Sequence, residues 1–133
     1  MAHLFEFSSI AFDPRDEPRN SINPISGYAV LDWLAGELEQ VGFEATRPPE
    51  EEDWGWYAEV SDGGRAYLVG ASGPEDLTDG RCDWIVQIEK RRSLLEKLTR
   101  KNVMQDDERL LQEIEGLLRR SPDLKNLYIE ANA

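Results

Sequence analysis

The residue types that most often do chemistry are scarce or badly spaced in this chain. His3 is its one histidine and Cys82 its one cysteine. A Ser–His or Cys–His couple, or a His/Cys zinc set, would have to start from a single imidazole near the first residue. Cys82 stands between Arg81 and Asp83 at the head of an alternating apolar run. Nothing local favours a reactive thiolate there, and the thiol reads as a small buried hydrophobe. Carboxylates, by contrast, number 27. Asp76, Asp79 and Asp83 around Gly80 have the composition of a calcium loop. They lack its spacing, which needs oxygen ligands at alternate positions ahead of the glycine. Glu50, Glu51, Glu52 and Asp53 are consecutive. In an extended chain neighbouring side chains point to opposite faces, so these four cannot all serve one ion. Gly63-Gly64 suits a turn better than a phosphate loop. The expectation is a chain with no catalytic residue, no metal site and no cofactor.

What the carboxylates can do is recognise. The most distinctive segment is Glu51-Glu52-Asp53-Trp54-Gly55-Trp56-Tyr57, aromatic residues rimmed by acid. Its plain reading is a solvated loop feeding core tryptophans, since aromatics at strand spacing usually pack. Its functional reading is an aromatic anchor for a Lys- or Arg-rich partner. The charge balance points the same way. Residues 1–89 hold 19 Asp and Glu against 5 Lys and Arg, whereas residues 90–133 hold 8 against 10. With a net charge of -12, the chain should repel nucleic acid and anionic membranes and attract basic proteins. Excess acid also keeps a small protein soluble, with no partner involved.

The elements that position these residues can be read from periodicity. At 133 residues the chain fits a single domain, 1–133. His3–Phe7 alternates as a strand, and residues 8–23 read as an irregular loop. Asn23-Pro24 marks a helix start, followed by Leu31, Leu34, Leu38 and Val41 at spacings of three and four for about five turns. Gly42 ends that helix, and residues 43–46 read as a short strand. Residues 54–60 and 65–70 flank an Asp-Gly or Gly-Gly turn, the strongest hairpin signal in the chain. Its parity puts Trp54, Trp56, Ala58, Val60, Tyr67 and Val69 on one face, and Tyr57, Glu59 and Leu68 on the other. Cys82–Glu89 alternates again and adds Ile85 to the second face. Residues 90–133 read as mostly helical: a capping box at Ser93 and Glu96, then a third helix from Asp106-Asp107 to Arg119-Arg120. Leu124–Glu130 has the pattern of a last strand. The expected fold is α+β: an antiparallel sheet of four to five strands, an N-terminal amphipathic helix, and C-terminal helices packed mainly on one face.

In size, acidity and element order the chain is similar to small acidic bacterial binding proteins such as toxin-immunity proteins and secretion chaperones. No motif carries the likeness, and it assigns no residue a role. The leading expectation is a cytoplasmic, non-enzymatic module that inhibits or escorts a basic toxin or secreted effector. Its partner-binding residues would be Glu51, Glu52, Asp53, Trp54, Tyr57, Leu68 and Ile85. The alternatives are a carboxylate-dependent enzyme, with or without metal assistance, and a structural homo-oligomer that buries the second sheet face, for instance as a homodimer.

Overall fold

The computed structural model describes residues 3–74 and 82–131. Its elements are β1 (His3–Ser9), a 3-10 turn (Pro14–Asp16), α1 (Tyr28–Gln40), β2 (Glu44–Ala45), β3 (Glu50–Glu52), β4 (Gly55–Asp62), β5 (Arg65–Ser72), β6 (Cys82–Lys90), α2 (Leu94–Thr99), α3 (Arg109–Arg120) and β7 (Leu124–Glu130). The strands form one seven-stranded sheet in the order β2-β4-β5-β6-β1-β7, with β3 also on β4. Every pairing is antiparallel.

The expected architecture is corrected by this. Sheet dominates, four to five strands become seven, and the longest helix lies behind β1 in the interior of the sequence, not at its N-terminal end. Two pairings make the difference. The acidic run is not a loop: it folds back on β4 around an Asp53-Trp54 turn, with Glu50 opposite Tyr57 and Glu52 opposite Gly55. β7 joins the outer edge of β1 and widens the sheet.

Strand alternation builds the core. The β4–β5 hairpin turns at Gly63-Gly64, where Gly63 takes a φ of 62° that suits a two-residue hairpin turn. Its register puts Trp56, Ala58 and Val60 beside Ala71, Val69 and Tyr67. β6 and β1 extend the same face with Trp84, Val86, Ile88, Phe5 and Phe7. Leu31, Leu34 and Leu38 of α1 and Leu111, Ile114 and Leu118 of α3 close over it. Leu127 and Ile129 pack against this core, while Tyr128 points away.

α1 begins at Tyr28, four residues later than Pro24 suggests. The intervening backbone is engaged elsewhere. Ser26 donates its hydroxyl to Pro74 O at 2.7 Å, and Gly73 N–H donates to Ser26 O at 2.8 Å. Gly27 carries no capping side chain. The cap comes from Glu17, whose carboxylate accepts from the N–H groups of Gly27, Tyr28 and Ala29 at 2.7, 3.1 and 3.0 Å. Ser8 and Ser9 belong to β1, and residues 10–23 form a strut that leads from it toward the head of α1. α3 likewise starts at Arg109, because Glu108 turns its side chain inward.

Candidate functional site: an open acidic sheet face

α1 and α3 cover only one face of the sheet. The other follows from the register. Across β4, β5, β6, β1 and β7 one row reads Tyr57, Gly70, Gln87, Leu4, Glu130. A second reads Glu59, Leu68, Glu89, and a third Ser72, Ile85, Glu6, Tyr128. Leu68 therefore sits between two glutamates, and Glu6 sits between Ile85 and Tyr128. Directly opposed strand residues are the closest neighbours on a sheet face, so apolar and acidic groups alternate at contact range.

Trp54 belongs to this face, contrary to the hairpin parity. It lies in the Asp53-Trp54 turn, outside the alternation of β4, and its ring covers Gly70. A Cβ at Gly70 would lie 2.4 Å from Trp54 Cη2, so the glycine makes the seat for the indole. Tyr57 is directly opposite Gly70 and Leu68 diagonal to it, which unites Trp54, Tyr57 and Leu68. Ile85 is not part of that group. It is opposite Ser72, four residues along β5 from Leu68, or about 13 Å at strand rise. Its neighbours are Leu4, Glu6 and Tyr128, and Ile85 and Tyr128 are 37% and 55% exposed. Here a surface hollow of about 300 Å³ opens between Glu6, Asp83, Ile85, Asn126 and Tyr128. It lies beside the register shift of β1 against β7. Leu4, Glu6 and Tyr128 escape a sequence reading, because no local spacing reveals that β1 lies between β6 and β7.

The acids are only partly free. Tyr57 donates its hydroxyl to Glu50. That bond first, then desolvation and the carboxylates of Glu50, Glu52 and Glu59, holds the phenol above its ordinary range. Glu51 accepts from the backbone and hydroxyl of Ser21, which lowers its carboxyl, so it anchors the strut. Glu59 pairs with Arg91 at 2.7 Å. Glu6, Asp83, Glu89 and Asp53 are exposed, and no ion pair holds them among the described residues.

The other candidates among the described residues lie away from this face. His3 is buried, with Nε2 3.3 Å from Asp106, and Cys82 is buried on the core face. Asp76, Asp79 and Gly80 lie outside the described residues. Among those described, no three His, Cys, Asp or Glu side chains come together to hold a metal. A buried cluster that spacing does not reveal joins Glu108 to Tyr67 and Lys90 beneath α3. No described helix is long and apolar enough to cross a membrane. No protein-family model matches the chain, and comparison with curated proteins and with solved structures finds no significant match.

Proposed function

We propose that the chain is a non-enzymatic, cytoplasmic binding module whose open sheet face takes a basic protein, in the manner of an immunity-type inhibitor or an escort. The observation that supports this is the alternation on that face: Trp54, Tyr57, Leu68, Ile85 and Tyr128 interleaved with Glu6, Asp83 and Glu89. Apolar anchors supply contact area, and unpaired carboxylates beside them select Lys and Arg side chains and speed encounter. The same charges repel nucleic acid.

The test starts from proteins captured by the native chain. Each candidate is then titrated against native protein and Leu68→Lys/Ile85→Lys. The reading expects a basic partner whose affinity falls about tenfold or more in the double variant and weakens as salt rises. A partner that binds both forms equally, or has no excess of Lys and Arg, would falsify it.

A further inference from the structure

α2 buries none of its residues. Leu94, Leu95 and Leu98 are 73%, 70% and 73% exposed. At 100° per residue the three occupy one side of the helix. The turn beneath them is well made. Ser93 and Glu96 form a capping box, and Arg100 closes the other end in the left-handed region with its N–H on Glu96 O. The fold thus holds three leucines out in water on a formed helix.

The charge around them is the reverse of the chain's. Residues 91–101 hold Arg91, Arg92, Lys97, Arg100 and Lys101 against Glu96 alone. Arg91 is engaged by Glu59, and Arg92 donates to Lys101 O at 3.3 Å. Lys97, Arg100 and Lys101 are exposed, with no ion pair among the described residues.

We propose that α2 docks the protein on an anionic lipid surface, with Leu94, Leu95 and Leu98 entering the acyl boundary and Lys97, Arg100, Lys101 and Arg92 meeting the headgroup phosphates. Area and charge together choose this occupant. Three leucine tips offer on the order of half the ~800 Å² per partner of a specific protein interface. A bilayer needs no matching shape, only apolar area and cations together. A second copy would bring the cations of α2 against one another in any two-fold pairing. The net charge of -12 does not prevent docking. Screening limits its reach to about 8 Å at physiological salt, and within that range the surface meets the local cations of α2.

The test is co-sedimentation with vesicles of mixed phosphatidylglycerol and phosphatidylcholine, compared with phosphatidylcholine alone. Native protein should partition about tenfold more strongly onto the anionic vesicles and lose that preference in high salt. Leu95→Glu/Leu98→Glu should keep the native unfolding midpoint and bind about tenfold more weakly. Lys97→Glu/Lys101→Glu should lose the anionic preference. Native protein that stays off anionic vesicles, or native and leucine variant binding alike, overturns the proposal. So does a native protein that ignores vesicles and self-associates while the leucine variant stays monomeric, which would assign the surface to a second copy.

Discussion

Glu108 keeps its charge while only 4% exposed, because several donors converge on it. Tyr67 donates its hydroxyl, Lys90 its ammonium at 3.1 Å, and Gln105 its backbone N–H at 2.6 Å. Burial pushes the carboxyl upward, but these bonds and the Lys90 charge outweigh it and hold the group below the ordinary glutamate range. The folded state therefore binds this proton less tightly than the unfolded state. Its contribution is complete above the unfolded value, about 4.3, and is lost as pH falls through the depressed folded value. Glu17 works the other way. Desolvation raises its carboxyl despite three backbone N–H bonds, so its contribution declines as pH rises from the ordinary range through the raised value. Urea unfolding across pH should show the acid-side loss flattened in Glu108→Gln and the opposite slope flattened in Glu17→Gln. Glu108→Gln should also cost about 3–5 kcal/mol at neutral pH, since it leaves Lys90 buried and unpaired. Lys90→Met/Glu108→Leu should recover most of that loss. Glu108 reads locally as one more acid at the head of a helix. Its side-chain partners, Tyr67 and Lys90, lie 41 and 18 residues away in sequence, a distance that no spacing rule spans.

The β3–β4 turn decides what the tryptophans do. Trp56 follows strand parity and is 4% exposed, with its indole N–H on Ile25 O at 3.2 Å. Trp54, two residues earlier, would share its face if β4 ran straight through. The chain instead turns at Asp53-Trp54, and the indole lies over Gly70. Gly70→Ala should push that ring into water. The expected result is a red-shifted tryptophan emission with the core intact, and no such shift in a Trp54→Phe background. An unshifted spectrum in Gly70→Ala would place Trp54 elsewhere. Alternation and turn residues were enough to find β1, the hairpin, β6 and β7, because these elements follow a period of two and Gly63-Gly64 marks the hairpin turn. They failed for β3 and for the start of α1. Glu50–Glu52 is a strand through its pairing with β4, against the low strand preference of glutamate. The cap on α1 comes from Glu17, across a loop.

Taken whole, the molecule carries its charge in two territories, an acidic open face and a cationic α2. Neutralising Glu6, Asp83 and Glu89 together should slow association with a basic partner more than it speeds dissociation, and the native rate should fall steeply with salt. Equal association rates at low salt would show that these carboxylates do not steer. Glu51 is a poor choice for that experiment, because Glu51→Ala removes the anchor of Ser21 and should instead make residues 10–23 easier to proteolyse. A two-fold dimer through the open face would crowd the carboxylates Glu6, Asp83 and Glu89 of both copies into one interface. Native protein and Leu68→Glu should therefore sediment alike, as monomers. Composition made the acidity legible. Where it is concentrated, and which aromatics stand beside it, depends on strand order, which joins residues far apart in the chain.

The place of β1 has a consequence for the nascent chain. It is made before every other strand of the sheet, yet both its neighbours, β6 and β7, follow all the others, and Leu4 ends up opposite Glu130. On the ribosome the β4–β5 hairpin can close at once, while β1 must wait, apolar side chains exposed, until the last strand emerges. Closing so long a loop is slow, and a waiting strand is open to wrong partners. A circular permutant that links residue 131 to residue 3 and opens the chain at Asn102-Val103, between α2 and α3, would make the β7–β1 pairing local and keep the β4–β5 hairpin. It should refold faster than the native order and aggregate less during refolding.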